Sequence, residues 1–329
     1  MAVPLTQLGR SGLRVSRLCL GTMNFGVHTE QADAFAIMDA ALEAGINFFD
    51  TADVYGWKTG EGVTERLLGE YFALGGGRRE RVVLATKAFG KMGNGPLTDW
   101  PNTNLLSALH IRRACDASLQ RMKTDYIDLY QMHHVDRNTP WDEIWEAYEV
   151  LRQQGKILYA GSSNFAAWHI VQGQETARRR NFMGLVSEQS KYSLLQREIE
   201  MEVGPACEAY GIGVIPWSPL ASGALAGIMG NQEGLRRHEP WSEKVKEKHG
   251  DQLTRWESLC QELGEEPGNV ALAWTLTRSF VTAPIIGPRT MEQLKGAIRS
   301  TEIDLSVETL EKIDEIFPGF KTAPEQYAW

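Results

Sequence analysis

The chain has 329 residues, 43% of them hydrophobic and 23% charged, the balance of a globular protein rather than a disordered or fibrous one. Its net charge of −8 excludes the broad positive surface that a general nucleic-acid binder needs, while leaving room for one local cationic pocket for a phosphate. Met1 to Leu8 show neither a basic start nor an apolar run, and no stretch of about 18 apolar residues follows, so no signal peptide and no membrane partner is expected.

Along the chain, Leu5–Leu8 and Leu13–Leu18 flank Arg10-Ser11-Gly12 and predict a β-hairpin plugging a barrel floor. Short β-branched or aromatic runs then alternate with longer amphipathic stretches. The runs are Arg17–Gly21, Ile46–Asp50, Val82–Lys87, Ile127–His133, Ile157–Ser162, Leu185–Gln189, Gly213–Ser218 and Thr282–Gly287. Gln31–Ala44, Leu105–Met122, Trp141–Gln154 and Ile199–Tyr210 carry apolar residues at helical spacing, with Gly45, Gly155 and Gly211 just past three of them as left-handed caps. Pro219 to Gly250 shows weak periodicity and is expected to be a long loop, functional or mobile. A last helix is expected near Val307–Ile316.

Strand and helix in alternation imply parallel pairing with right-handed crossovers. Eight such units predict a (β/α)8 TIM barrel of the α/β class, one domain over 1–329, with an N-terminal hairpin and an extra C-terminal helix. The rival open sheet is disfavoured by the count, and by the absence of G-x-G-x-x-G after the first strand. Cys19, Cys115, Cys207 and Cys260 lie far apart with no C-x-x-C pair, which suits reduced thiols in the cytoplasm rather than a zinc site or a disulfide frame.

A barrel enzyme places its site at the carboxyl ends of its strands, where this sequence has Asp50, Lys87, His133, Ser162, Gln189, Trp217-Ser218 and Gly287. The set offers no compact group of metal ligands, and His133 and His134, adjacent on a strand, are expected to face opposite ways. Asp50 and Lys87 close neighbouring strands, as a plain salt bridge or as part of a site. Tyr55 follows five residues after Asp50. An ammonium beside it is expected to lower the phenol pKa from about 10 and make it a proton donor to a developing alkoxide. His133 is either a satisfied core histidine or a group that orients the same oxygen. Arg112-Arg113 and Arg178-Arg179-Arg180 are read as solvated helix faces.

Six segments together resemble the aldo-keto reductase superfamily, from about Leu8 to the last helix. They are Gly21-Thr22-Met23-Asn24-Phe25-Gly26, the stretch from Phe49 through Asp50 and Tyr55 to Gly56, Ala85-Thr86-Lys87, the stretch from Asp125 to His133, Gly161-Ser162-Ser163-Asn164-Phe165, and Trp217-Ser218-Pro219-Leu220. The resemblance implies that Tyr55 is the general acid, that Lys87 and Asp50 tune it, and that His133 orients the carbonyl. It implies reduction of a small-molecule aldehyde or ketone by hydride from NADPH, with NADH as the alternative cofactor and no metal.

For the cofactor, the resemblance points to Gly21, Thr22, Met23 and Asp50 at the barrel mouth. Ser163, Asn164 and Gln189 would bind the carboxamide and Trp217 would stack on the nicotinamide, although Asn164 as a helix N-cap and Trp217 as a core residue stay open. Ser218, Leu220, Gly223 and Leu225 would meet the pyrophosphate, within a clamp formed by Pro219–Gly250. Gly287, Arg289 and Gln293 would hold the adenosine 2′-phosphate, the basis for NADPH. Gly296 and Ala297 stand where the family often has Glu and Asn to contact adenine. Phe25, Tyr55, Trp57, Trp100, His133 and His134 are the candidate substrate pocket, with His134 where many relatives carry tryptophan. Two other readings stay open: a cofactor-binding regulatory or redox-sensing subunit with little turnover, and a lyase using Lys87 as a Schiff-base amine. The sequence leaves the oligomeric state open.

Overall fold

The computed structural model of the chain describes residues 2–56, 62–92, 99–229 and 240–328. Strands β1 (Leu5–Gln7) and β2 (Arg14–Ser16) form an antiparallel hairpin, with Thr6 opposite Val15. Strand β3 (Cys19–Gly21) then begins a regular alternation. Helix α1 (Gln31–Glu43), β4 (Phe48–Asp50), α2 (Val63–Ala73), β5 (Val83–Ala88), α3 (Ala108–Met122), β6 (Ile127–Met132), α4 (Trp141–Gln153), β7 (Ile157–Ser163), α5 (Ala167–Arg179) and β8 (Leu185–Gln189) follow in order. A 3₁₀ turn at Glu198–Glu200 leads into α6 (Val203–Tyr210) and β9 (Gly213–Val214). After them come α7 (Pro240–Leu263), α8 (Pro267–Leu276), β10 (Ile285–Ile286), α9 (Met291–Arg299) and α10 (Val307–Ile316).

Strands β3 to β10 make one parallel sheet in the order β10-β3-β4-β5-β6-β7-β8-β9. Its two ends meet. Val214 bridges Val281 in parallel, Thr282 N–H donates to the Val214 carbonyl at 2.8 Å, and Ile285 N–H donates to the Pro216 carbonyl at 2.8 Å. The result is the (β/α)8 barrel that the alternation predicts.

The barrel has two apolar layers. Inside lie Cys19, Phe48, Ala85, Leu129, Val186, Ile215 and Ala283, closed from below by Leu8 and Val15 of the hairpin. Outside, Leu20, Phe49, Leu84, Tyr130, Met132, Leu185 and Ile286 pack against the helices. This is the period-two alternation of a strand, with one interruption. Ala160 pairs with Leu185 but the next residue, Gly161, pairs with Ser187, so Val186 is an extra residue in β8. Such a bulge re-aims the residues that follow it at the strand's functional end.

Several expectations shift at their edges. Helix α3 starts at Ala108 rather than Leu105, because Ser107 caps it by accepting the His110 N–H, and Leu105 has a φ of +67° that no helix tolerates. The stretch Ile199–Tyr210 divides into the 3₁₀ turn and α6. Pro219–Gly250 is not one long loop: α7 already begins at Pro240, and residues 230–239 lie outside the described residues. Helices α7, α8 and α10 surround a satellite core of Leu253, Trp256, Cys260, Trp274, Ile313 and Phe317.

Candidate active site

Strand β4 ends in Asp50, and inward-facing Lys87 lies one residue before the end of its neighbour β5. Both are almost fully buried. The Lys87 Nζ donates to Asp50 Oδ2 at 2.7 Å, to the Thr51 carbonyl at 2.7 Å and to Tyr55 Oη at 3.2 Å. The carboxylate has further donors on its other oxygen, Oδ1: Gln189 Nε2 at 2.9 Å and Gln131 Nε2 at 3.1 Å. A buried ion pair is tolerable only when its remaining hydrogen-bonding capacity is used in this way. Gln131 was not among the candidate residues. It stands two after Leu129 of the inner layer, within β6, so period-two alternation puts it on the inward face.

Tyr55 lies in a turn after β4, held by its N–H donating to the Ala52 carbonyl. Its ring stands edge-on to that of His133, with centroids 6.0 Å apart, and Lys87 Nζ lies 4.9 Å from the Tyr55 ring centre. Phenol, ammonium, carboxylate and imidazole therefore share one pocket at the carboxyl end of the barrel.

The electrostatics correct one expectation. Burial raises the Tyr55 pKa above its ordinary 10, and the attraction of Lys87 offsets this only in part. The resting group is a neutral phenol, and the ammonium acts when negative charge develops on Oη. For Lys87, burial opposes the charge, but Asp50 and Tyr55 outweigh it and hold the amine above its usual value. Burial, together with Lys87, pushes His133 down to about 2, so its imidazole is neutral at all ordinary pH.

His133 and His134 do not face opposite ways. Strand β6 ends at Met132, so strand alternation no longer applies, and the two rings stack 4.9 Å apart with 5° between their planes. His134 is exposed at the mouth, edge-on to Phe89, with its Nδ1 3.4 Å from Asn164 Nδ2.

Beyond β7 and β8 a second group gathers beside His133. Asn164, at a φ of +60°, donates from Nδ2 to the His133 carbonyl and to Ser163 Oγ, and accepts from the Trp217 indole N–H at 3.0 Å. Ser163 Oγ donates to the Gln189 carbonyl. Asn164 does not cap α5; Ala166 holds that position and makes no side-chain cap. Trp217 is half-buried rather than a core residue, and Lys191 Nζ lies 5.5 Å from its ring centre. An indole face beside an amide and a hydroxyl fits a flat heteroaromatic amide such as nicotinamide.

The remaining candidates are dispersed. After Trp217, Ser218, Ala221, Ser222 and Gly223 all have positive φ, and Ser218 Oγ accepts the Ser222 N–H. Leu220 is half-buried, whereas the Leu225 side chain is fully buried in the satellite core, leaving only its backbone toward the loop. Gly21 is a packing glycine, since a Cβ there would lie 2.5 Å from Ile285 Cγ2. Thr22 is buried and donates to the Asp50 carbonyl, and Met23 is exposed at the rim. Gly287 accepts from Asn24, and Arg289 immediately precedes Thr290, the N-cap of α9. The Gln293 side chain accepts the Arg289 N–H. Phe25 is fully buried in the shell between barrel and helices, while Trp100 is 65% exposed. Trp57 lies outside the described residues.

Comparison with known proteins bears on this geometry. Residues 17–317 match the model of the aldo/keto reductase family. Over 98% of its length the chain is 55% identical to a Bacillus subtilis protein, an uncharacterised oxidoreductase called YrpG, covering 99% of that protein. It is 33% identical to the versiconal hemiacetal acetate reductase of Aspergillus parasiticus, covering 94% of this chain and 95% of that one. It is also 34% identical to a putative voltage-gated potassium channel subunit beta of Schizosaccharomyces pombe, covering 95% of this chain and 93% of that one.

Proposed function

The chain belongs to the aldo/keto reductase family, and from that premise we propose that it reduces the carbonyl of a small aldehyde or ketone, with Tyr55 as proton donor and NADPH as cofactor. The observation that carries the reading is the contact of Lys87 Nζ with Tyr55 Oη at 3.2 Å, inside a pocket that also holds His133.

When bound, the nicotinamide supplies a hydride to the carbonyl carbon. The chain's own residues manage the oxygen. A substrate carbonyl between Tyr55 Oη and the neutral His133 ring receives two hydrogen bonds and is polarised. As its oxygen gains charge, the Oη proton moves to it. The phenolate left behind sits against the fully buried Lys87 ammonium, where the attraction is stronger than between groups in open solvent. Asp50, held by Gln131 and Gln189, keeps that ammonium in place through the cycle.

Ser163, Asn164 and Gln189 would meet the carboxamide and Trp217 the ring. The Gln189 amide is already engaged with Asp50, which links the cofactor cradle to the acid apparatus. The loop from Ser218 to Leu225, tightened by positive φ at Ser218, Ala221, Ser222 and Gly223 and by N–H groups that donate within it, would lie along the pyrophosphate. Arg289, ahead of the α9 N-terminus, would meet the 2′-phosphate and favour NADPH over NADH. His134 and Trp100 would flank the substrate.

The test is a panel of aldehydes and ketones assayed with NADPH and NADH in parallel, for wild type and Tyr55→Phe. Turnover with NADPH is expected, and loss of the phenol should lower kcat by about 10²–10⁴-fold while cofactor binding persists. A wild-type protein that binds no nicotinamide cofactor, or a Tyr55→Phe variant of undiminished kcat, would sink the reading.

A further inference from the structure

Strand β8 carries an acid that the chemistry above does not use. Glu188 lies between inward-facing Ser187 and Gln189, so it points outward, into the apolar shell between the sheet and the helices. It is fully buried. A carboxyl group there is costly unless its oxygens are satisfied, and even then it rarely adds stability over an apolar residue of the same size. Its presence calls for another explanation.

The explanation lies in what it holds. The Ser162 hydroxyl donates to Oε2, while the Ser190 hydroxyl and the Phe165 N–H donate to Oε1 at 2.7 and 3.1 Å. These three donors enclose the cradle from beneath. Ser162 and Phe165 bracket Ser163 and Asn164. Ser190 accepts the Trp217 N–H on its carbonyl at 2.9 Å. Asn164 between them is held at a φ of +60°, a conformation that side chains other than glycine adopt at a cost and keep only when their surroundings impose it. In that conformation its amide reaches the His133 carbonyl and the Trp217 indole.

We propose that Glu188 is a positioning residue for the nicotinamide half of the cofactor: it touches none of the reacting groups, and fixes Asn164 and Trp217 from behind. This rests on the cofactor reading given above. The adenine half would bind across the barrel mouth, near Arg289, on β10 and α9, which Glu188 does not touch.

That separation provides the test. Calorimetry measures binding of NADPH and of adenosine 2′,5′-bisphosphate, the adenine half alone, to wild type, Glu188→Ala and Glu188→Gln. In Glu188→Ala, NADPH is expected to bind at least tenfold more weakly and the bisphosphate within twofold of wild type. Glu188→Gln, whose amide oxygen still accepts at Oε1, is expected to recover most of the loss. Equal weakening of both probes, or of neither, overturns the proposal. If Glu188→Ala does not fold, the pair Ser162→Ala with Ser190→Ala, which removes two of the three donors and keeps the acid, is read in the same way. Wild-type protein that binds neither probe overturns the cofactor reading and this inference with it. Wild-type binding with unselective variants overturns this inference alone.

Discussion

Two groups near the site, His133 and the fully buried Glu188, carry displaced protonation equilibria of opposite sign. His133 has a folded-state pKa of about 2. The unfolded chain takes up its proton as pH falls through about 6.5 and the folded chain does not, so this group costs stability progressively on acidification. Glu188 behaves in the other sense. Burial raises its pKa to about 7, against the donors from Ser162, Ser190 and Phe165. The folded protein therefore keeps a proton that the unfolded chain has released above the ordinary carboxyl value, and stability drains away as pH rises toward 7. From this group alone the change is roughly 3 kcal/mol across the window. Urea unfolding of wild type and Glu188→Gln at intervals from pH 4 to pH 8 checks the sign. The variant should gain on wild type as pH rises, and parallel curves would show that Glu188 does not titrate there. Asp50, Tyr55, Lys87 and His133 were legible in the sequence because Asp50, Lys87 and His133 stand within a residue of a strand end and Tyr55 follows in the next turn. Glu188 was not, since its role depends on the turn around Asn164 and on the bulge at Val186, neither of which leaves a periodic trace. The direction of the Tyr55 shift was also hidden, because sequence shows the neighbouring ammonium but not how deeply the phenol is buried.

The N-terminal hairpin shows most clearly how an element is fitted to the fold. Its turn runs from Leu8 to Leu13, and Leu8 seals the inner layer of the barrel. Gly9 has a φ of +55°, and a Cβ on it would lie 2.5 Å from the Gly211 carbonyl oxygen, 2.6 Å from that of Val186 and 2.8 Å from Gly213 N. These are backbone atoms at the amino ends of β8 and β9, which cannot swing aside. Gly12, in the same turn, is exposed, and a Cβ on it would meet nothing beyond its chain neighbours within 4 Å. Gly9→Ala should therefore cost roughly 2–4 kcal/mol in backbone strain and overpacking, while Gly12→Ala stays within about 0.5 kcal/mol of wild type. Equal unfolding midpoints for the two variants would mean that the hairpin does not bear on the barrel floor. The hairpin and most strands could be read from sequence because alternation and turn chemistry are local. Strands β9 and β10 shrink to two residues each, against the longer runs expected, because the chain there closes the ring through one bridge at Val214 and a hydrogen bond to the Pro216 carbonyl instead of a continuous ladder. Ring closure is a non-local condition that no window of sequence contains.

At the scale of the whole molecule, each of the three apolar regions carries at least one thiol. Cys19 is inside the barrel, Cys115 and Cys207 are in the outer shell, and Cys260 is in the satellite core beneath α7, α8 and α10. All four are free and buried. Burial lifts Cys115 and Cys260 to about 12 and raises Cys19 and Cys207 well above the usual thiol value. At pH 8 a thiol at about 12 is ionised to about one part in ten thousand, and the thiolate is the species that reacts. Attack by an aromatic disulfide reagent then has to wait for the structure to open, so the thiols report on packing rather than on redox state. The native protein should release almost no chromophore over minutes, and four equivalents once denatured. In intermediate urea Cys260, in the satellite core, should be labelled before Cys19, whose exposure requires the barrel itself to open. A thiol that reacts at once in the native state would overturn this ordering. It would also supply what a thiol-based redox-sensing role needs and these buried positions withhold, a cysteine that solvent can reach while the barrel is closed.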